Sequence, residues 1–577
     1  MTNLPQFLRD MWSLAKPYWS SEDRWAAWGL LGVVVAMNLG LVFIDVLINR
    51  WSNVFYNSLQ DKNYDVFIQQ LLRFTWLAGL YIVVAVYQLY LNQMLQIRWR
   101  RWLTDRYLNA WLADRAYYRM QLLAGETDNP DQRIAEDVRL FVTRTLTLGL
   151  QFLRAATTLV SFVGILWFLS GPLKLPWLGW TVPGYMVWAA LLYAIVGTWL
   201  TEKVGRRLVR LDFEQQRYEA DFRFALVRFR ENTEGVALYR GEPDELQNFR
   251  QRFAHVVANW WSIMGLQKRL TGFTVGFAQL AIIFPFVVAG PRFFRGEIAL
   301  GGLVQTAQAF GKVQEALSVV VDPQLYPQIA EWRAVVSRLI GFEAAMARVR
   351  PNPEVAGIQR VENGRSILLE DVDLHLPGGQ PLLRGAQENI SSGERVLVTG
   401  PTGSGKSTLF RAIAGLWPFG RGRITVPSDA RVLFLPQKPY LPIGTLRDVV
   451  SYPVPAAGIL DSALREALAA VGLPKLGERL DESANWALQL SPGEQQRIAF
   501  ARAIVQKPDW LFLDEATSAV DEQAEARLYA LVRERLARTT VVSIGHRPTL
   551  GAFHDRQLVV RPHADRAASL EEAARTA

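Results

Sequence analysis

The sequence predicts a membrane-embedded, all-α domain of about six spanning helices in residues 1–335, followed by an α/β domain in residues 336–577. Tryptophan is enriched at membrane–water interfaces, and of the 20 Trp residues all but three lie at or before Trp332. Long apolar stretches occur in the same part of the chain. From about residue 336 short β-like runs alternate with helical ones, as expected of an α/β layer.

Six stretches supply the roughly 20 mainly apolar residues that a bilayer-spanning helix needs. They are residues 25–48, 74–97, 146–169, 184–201, 271–290 and 299–320. The last two contain Gln279, Gln305, Gln308 and Lys312, so we expect them to face a polar cavity or a partner helix rather than lipid. The N-terminal residues lack the pattern of a cleavable signal peptide. An even number of spans then places both termini on one side of the membrane.

Charge is distributed unevenly among the connections between the spans. The connections after the second and the fourth span are long and rich in arginine, whereas the opposite ones are poor in charge. The positive-inside rule therefore places the long connections and the α/β domain in the cytoplasm. This asymmetry accounts for the net charge of +9, and we expect no nucleic acid partner.

Asp45 and Arg154 are charged residues that also fall inside predicted spans. A charge within the membrane is a candidate for a role in transport. Both also lie close to an end of their span, where an interfacial position would explain them equally well.

Cysteine is absent from the chain. Disulfides, thiolate metal sites and cysteine nucleophiles are therefore excluded.

The second domain contains a phosphate-binding motif. Residues 395–416, "RVLVTGPTGSGKSTLFRAIAGL", read as a strand, a glycine-rich loop and a helix, and they match G-x-x-x-x-G-K-[ST]. Backbone N–H groups and the helix N-terminus would bind phosphate oxygens. Lys406 would reach the β and γ phosphates, and the Ser407 hydroxyl would complete Mg²⁺ coordination. The candidate ATP-binding residues are Gly400, Pro401, Thr402, Gly403, Ser404, Gly405, Lys406, Ser407 and Thr408.

A second motif, "PDWLFLDEATSAVD" at residues 508–521, ends a buried-strand run with two carboxylates. Asp514 is placed to hold Mg²⁺ through water, and Glu515 can polarise the attacking water as general base. A further apolar strand, "TTVVSIGHRPTL", leads to His546. A lone histidine of this kind is more often structural than catalytic.

In this order, these elements resemble the nucleotide-binding domain of ATP-binding-cassette (ABC) proteins over roughly residues 360–550. "LSPGEQQ" at residues 490–496 resembles the family signature LSGGQ, with Pro492 where glycine is usual. The resemblance implies that Gln437 is the Q-loop glutamine, which senses Mg²⁺ and the γ-phosphate, and that His546 is the switch histidine. It assigns Ser518, Ala519 and Asp521 to the loop that crosses the dimer interface.

The family resemblance also implies a dimer. In ABC proteins the signature of one domain closes over ATP held by the P-loop of a second domain. Ser491 and Gly493 would therefore contact the γ-phosphate of ATP bound mainly by the partner, and Glu494 is a further candidate ATP-binding residue. Because the chain has one P-loop and one signature, we expect a homodimer with two composite sites.

One feature departs from the family pattern. Many ABC domains stack adenine on an aromatic side chain upstream of the P-loop, but no Phe, Tyr or Trp lies between Phe342 and Phe410. His375 or the adjacent aliphatic residues would pack against the base instead. We therefore expect weak selectivity for ATP over GTP.

Six spans fused to one cassette resemble a half-size transporter of the exporter-like type IV architecture. "NPDQRIAEDV" at residues 129–138 and "ENTEGVALYRGEPDE" at residues 231–245 resemble motifs of the peroxisomal fatty-acyl transporters and their bacterial relatives. These stretches would either couple the cassette to the membrane helices or only cap the stalks. Residues 47–63 and 484–497 look most like the bacterial group, which has an SbmA/BacA-like membrane domain.

The resemblance to the bacterial group implies ATP-driven uptake of a bulky hydrophilic solute across the bacterial inner membrane, such as a peptide, bleomycin or cobalamin. A fatty-acyl-CoA or lipid-like substrate, or export, remains open. Two other classes are less compatible with the sequence. A channel or regulator that binds ATP without sustained turnover would usually lack Glu515, and a soluble cassette protein would lack the membrane half.

Overall fold

The computed structural model describes residues 4–123, 129–174, 181–318, 325–350, 357–563 and 567–573. The chain divides into two compact units. The helical unit comprises residues 1–111 and 128–348, and the α/β unit comprises residues 112–127 and 349–577. The boundary predicted at 335/336 lies inside a helix, Leu325–Arg348, that belongs wholly to the helical unit.

Long helices dominate the first part of the chain. They are α1 Leu4–Trp19, α2 Arg24–Gln60, α3 Tyr64–Leu112, α4 Ala116–Leu123, α5 Val138–Ser170, α6 Tyr185–Glu231, α7 Thr233–Tyr239, α8 Glu242–Phe294, α9 Leu300–Ser318 and α10 Leu325–Arg348. A helical turn, Pro130–Gln132, and a π turn, Arg133–Asp137, precede α5, and a small hairpin of β1 Pro172–Lys174 and β2 Thr181–Pro183 follows it.

The six predicted spans fall on α2, α3, α5, α6, α8 and α9, apart from residues 319–320, which lie outside the described residues. Within the described residues, four helical segments are long and apolar enough to cross a membrane: Arg24–Gln60, Tyr64–Leu122, Pro130–Ser170 and Glu242–Phe294. Helix α6 contributes a shorter described apolar segment, Tyr185–Gly197. With 53 residues, α8 is about 80 Å long and extends well beyond a hydrocarbon core of about 30 Å.

Helices α2 and α9 are joined by a ladder of polar side chains. The Asn49 amide donates to the Gln305 carbonyl oxygen at 3.1 Å, and the Gln305 amide donates to Asn49 Oδ1 at 3.2 Å. Ser52 Oγ donates to Gln308 Oε1 at 2.7 Å, and Asn53 Nδ2 donates to Gln305 Oε1 at 2.8 Å. The glutamines of α9 thus face a partner helix, which is one of the two predicted alternatives.

Asp45 and Arg154 belong to one charged cluster. Asp45 Oδ2 lies 3.4 Å from Lys312 Nζ and 3.8 Å from Arg154 Nη2, and Arg154 Nη2 also donates to the Tyr81 hydroxyl at 3.3 Å. The Asp45 side chain is 12% exposed, whereas those of Arg154 and Lys312 are 41% and 34% exposed. The cluster therefore joins α2, α3, α5 and α9 and leaves two cations partly accessible.

The α/β unit is built on a ten-stranded sheet in the order β3-β7-β4-β5-β14-β13-β6-β12-β11-β8. Its strands are β3 Gln359–Gly364, β4 Ile367–His375, β5 Pro381–Ile390, β6 Arg395–Thr399, β7 Gly420–Pro427, β8 Val432–Leu435, β11 Trp510–Asp514, β12 Thr540–Ile544, β13 Arg556–Pro562 and β14 Ala568–Glu572. Strands β9 Gly444–Thr445 and β10 Ser483–Ala484 form a separate pair.

Strands β8, β11, β12, β6 and β13 are parallel to one another, β13 pairs antiparallel with β14, and β7, β4 and β5 pair antiparallel. The helices are α11 Lys406–Ile413, α12 Leu446–Ser451, α13 Asp461–Ala470, α14 Trp486–Gln489, α15 Pro492–Gln506 and α16 Glu522–Arg535. Because β11 is covered on both faces, Leu511, Phe512 and Leu513 are fully buried. The carboxyl ends of β6, β11 and β12 meet at one edge, where open α/β sheets bind ligands.

Candidate nucleotide-binding site

The glycine-rich loop lies between β6 and α11 and has the backbone that its sequence requires. Gly400, Gly403 and Gly405 have φ values of 146°, 79° and 97°, which L-residues with side chains rarely adopt. At Gly400 a Cβ atom would lie 2.6 Å from the Val560 carbonyl oxygen. Residues 400–405 form the loop, while Lys406, Ser407 and Thr408 begin α11, so the helix N-terminus opens towards the loop.

Lys406 curls back beneath this loop. Its Nζ donates to the carbonyl oxygens of Gly400 and Pro401, both at 2.8 Å. Burial lowers the pKa of Lys406, and the carboxylates of Glu515 and Asp514 oppose that shift. A polyanion fits this loop because it would meet one ammonium group and the N–H groups of a glycine-rich turn.

Ser407 and Asp514 form the pair expected to hold magnesium. Ser407 Oγ donates to Asp514 Oδ1 at 2.8 Å, and burial raises the pKa of the Asp514 carboxyl. A bound cation would compensate the electrostatic cost of burying the ionised Asp514 carboxylate. A hydroxyl and a carboxylate oxygen are hard donors of the type that Mg²⁺ prefers, so these residues fit that ion.

Glu515 brings together the three predicted catalytic residues. Gln437 Nε2 donates to Glu515 Oε2 at 3.1 Å, and His546 Nε2 lies 3.0 Å from Glu515 Oε1. Glu515 has a φ of 47°, an uncommon value for a residue other than glycine. Its N–H donates to the Ile544 carbonyl oxygen at 3.1 Å, which fixes the carboxylate at the end of the parallel strands. Gln437 thus contacts the carboxylate next to Asp514 rather than the Ser407–Asp514 pair.

Ser491 caps helix α15. Its Oγ accepts from the Glu494 N–H, and its own N–H donates to Glu494 Oε2 at 2.9 Å, which completes a capping box. Pro492 occupies the first turn of the helix, where its missing N–H has no cost. The hydrogen bonds from Ser491 lower the pKa of Glu494. Ser491 is exposed, and in the described part of the chain its side chain is hydrogen-bonded only to Glu494.

The sequence indicates no role for Gln496, although its side chain connects three parts of the site. Its Nε2 donates to the Gln437 carbonyl oxygen at 2.9 Å and to Ser518 Oγ at 3.1 Å. Its Oε1 accepts from the Ala519 N–H at 2.9 Å. Gln496 is only 2% exposed. A fully buried glutamine cannot be distinguished in advance from the polar residues beside it in "GEQQR".

A segment of the connection between the second and third predicted spans also belongs to the α/β unit, which the sequence did not indicate. Asp114 and Arg115 have φ values of 50° and 57° and break the helix after α3. Arg115 Nη1 donates to the Ala414 carbonyl oxygen at 2.6 Å, and Arg360 Nε donates to the Ile413 carbonyl oxygen at 3.1 Å. Both arginines therefore hold the C-terminal end of α11, the helix whose N-terminus forms the P-loop.

The residues predicted to pack against adenine lie in the stretch 372–383 and differ in burial. Leu374 is fully buried, whereas His375 is partly exposed and Leu376 is 37% exposed. Leu382 of the same stretch lies against the P-loop, since a Cβ at Gly405 would be 3.4 Å from its Cδ2. His375 and these leucines remain the predicted contacts of the base.

Sequence comparisons agree with this arrangement. The ABC transporter transmembrane region 2 family matches residues 14–294, and the ABC transporter family matches residues 383–518. The inner membrane ABC transporter ATP-binding protein YddA of Escherichia coli strain K12 is 36% identical over 93% of this chain and 94% of its own length. The chain belongs to the ABC transporter family. It is an ATP-hydrolysing half-transporter, with the membrane region and the ATPase fused in one polypeptide.

Two further relatives are eukaryotic. The chloroplastic ABC transporter D family member 2 of Arabidopsis thaliana is 32% identical over 97% of this chain and 87% of its own length. The human lysosomal cobalamin transporter ABCD4 is 28% identical over 95% of this chain and 94% of its own length. The predicted resemblance to this group of fused half-transporters is therefore confirmed.

Among solved structures, a bacterial Atm1-family ABC exporter with ATP bound matches with a TM-score of 0.65 and 20% identity, over 95% of each chain. This likeness confirms the predicted fold class, a type IV exporter-like helical domain followed by an α/β P-loop domain.

Proposed function

We propose that this transporter works as a homodimer that takes up a bulky hydrophilic solute across the bacterial inner membrane. The dimer is supported by the incomplete site of a single chain. The P-loop and the Glu515 cluster lie within one α/β unit, while Ser491 is exposed and hydrogen-bonded only within its own turn in the described residues. A second copy would bring its Ser491, Gly493 and Glu494 to the ATP held by Lys406.

The chemistry within each site follows from the geometry around Glu515. Its carboxylate, held by Gln437 and His546, is placed to polarise the attacking water. Ser407 and Asp514 would hold Mg²⁺, with the Gln437 side-chain oxygen as a third candidate ligand. When bound, the ion would neutralise phosphate charge. Lys406 would release its two loop carbonyls and donate to the phosphates instead.

The charged cluster of the helical unit supports a hydrophilic cargo. Lys312 and Arg154 share the carboxylate of Asp45, Lys312 Nζ also lies 3.7 Å from Glu315 Oε2, and both cations stay partly exposed. Cations at this depth are unfavourable against lipid and favour a water-filled path. A peptide, a bleomycin-like or a cobalamin-like solute is compatible with such a path. Uptake is supported by the resemblance of residues 47–63 and 484–497 to the bacterial group.

A fatty-acyl-CoA or other lipid-like substrate is the second candidate. The motifs at residues 129–138 and 231–245, which resemble those of the peroxisomal fatty-acyl transporters, favour it. Export is possible on the same fold.

Reconstituted proteoliposomes distinguish these substrates. The transporter is inserted with ATP supplied on one face, and labelled peptide, cobalamin and acyl-CoA are tested separately. We expect ATP-dependent movement of peptide or cobalamin towards the face that carries the α/β unit, and no movement with Glu515→Gln. Movement of acyl-CoA alone would establish the second candidate, and movement in the opposite direction would show export.

A further inference from the structure

A basic cavity lies between helices α6 and α8 of the helical unit. Its volume is about 450 Å³, and its lining includes three arginines, Arg207, Arg210 and Arg269, but no acidic residue. One of these cations is already paired, because Arg210 Nε lies 3.1 Å from Glu214 Oε1. Within the described part of the chain Arg207 and Arg269 make no ion pair, so the cavity has an excess of positive charge.

The cavity lies at the depth of the lipid headgroups. Arg269 is two residues before the predicted span 271–290. The predicted span 184–201 of α6 ends six residues, or about 9 Å of helix, before Arg207. The core therefore ends just before Arg207, and by the predicted topology this is the cytoplasmic face.

The remaining lining is amphipathic, and the cavity has space for a bound molecule. Leu211 and Leu266 provide apolar wall, and Trp261 is 67% exposed, as expected of an interfacial tryptophan. A Cβ atom at Gly265 would meet nothing within 4 Å. Next to the cavity, Asn259 Nδ2 donates to the Leu211 carbonyl oxygen at 2.9 Å, which fixes the two helices against each other.

We propose that this cavity binds the phosphate headgroup of an acidic phospholipid, with Arg207 and Arg269 as its main ligands. Guanidinium groups pair with phosphate oxygens in a bidentate manner, and basic pockets between membrane helices are suited to anionic headgroups. A lipid fits better than free phosphate, because the apolar wall and Trp261 would contact its acyl chains. The bound lipid would join α6 to α8, independently of the transported solute.

Native mass spectrometry of the purified full-length transporter tests this proposal. The protein is titrated in detergent with phosphatidylglycerol, cardiolipin or phosphatidylcholine. We expect retention of the two acidic lipids over phosphatidylcholine, and about a tenfold weaker retention by the double variant Arg207→Gln/Arg269→Gln. Gly265→Leu, which fills the cavity without removing charge, should reduce retention as well.

The matched control is Arg228→Gln/Arg250→Gln, which removes the same charge from the same two helices outside the cavity. Equal retention by both double variants would overturn the proposal, because binding would then reflect overall charge. Equally tight binding of inorganic phosphate or glycerol phosphate would identify a soluble anion instead of a lipid. ATPase activity is measured in parallel, but the proposal is judged on lipid retention alone.

Discussion

We expect turnover to depend most directly on Glu515, because it is the carboxylate that both Gln437 and His546 contact. Glu515→Gln should bind ATP normally and lose about 100-fold or more of its hydrolysis rate. Nucleotide binding and phosphate release are measured on the same preparation. Glu534→Gln, an exposed position on α16, is the control and should hydrolyse ATP at the normal rate. Undiminished hydrolysis by Glu515→Gln would refute its assignment as general base.

Gln496 should matter for the alignment of the site rather than for the chemistry itself. Gln496→Leu removes the hydrogen bonds from its buried side chain to Gln437 and Ser518 and the one it accepts from the Ala519 N–H. We expect a loss of about 1–3 kcal/mol in unfolding free energy of the α/β unit and slower hydrolysis. Gln387→Leu, at an exposed position on β5, should change neither the thermal unfolding nor the ATPase rate. Normal hydrolysis by Gln496→Leu would show that the hydrogen bonds of Gln496 to Gln437 and Ser518 are not needed for turnover.

At the scale of helices, the approach of α2 to α9 depends on Gly301. A Cβ at this position would lie 1.9 Å from the Asn53 carbonyl oxygen, and the Gly301 N–H already donates to Asn57 Oδ1 at 2.8 Å. Gly301→Ala must push the helices apart, at a cost of about 1–3 kcal/mol. Thermal unfolding in detergent measures the loss. Gly311→Ala on the same helix, where a Cβ meets nothing within 4 Å, should not lower the melting temperature; an equal effect of both would contradict the close contact.

Arg115 connects the segment after α3 to the far end of the P-loop helix. Arg115→Gln removes its hydrogen bond to the Ala414 carbonyl oxygen but leaves the P-loop intact. We expect normal ATP binding together with weaker stimulation of ATPase activity by transported solute. Arg119→Gln, one turn further along α4, is the control. Stimulation that is unchanged in Arg115→Gln would assign this contact to folding alone.

The elements that the sequence predicted well are those whose signal is local. The strand, glycine loop and helix around Lys406, and the apolar strand ending at Asp514 and Glu515, each fit within about 20 residues. Gln496 and Arg115 were missed because their partners lie far away in sequence and their residue types are ordinary for a helix surface. Lys312 and Asp45 are each unusual in the sequence, because both are charged residues inside predicted spans. Only the packing of α9 on α2 shows that they are paired.

For the whole molecule, we expect two chains to share each ATP, with the Ser491 turn of one meeting the Lys406 loop of the other. Lys406→Ala and Ser491→Arg should each abolish hydrolysis when all chains carry the change. Co-expression of the two variants tests whether the site is shared, because a mixed dimer keeps one intact site and one site with both defects. With random pairing about a quarter of the wild-type ATPase activity should return. A mixture that is no more active than either variant alone would contradict the shared site.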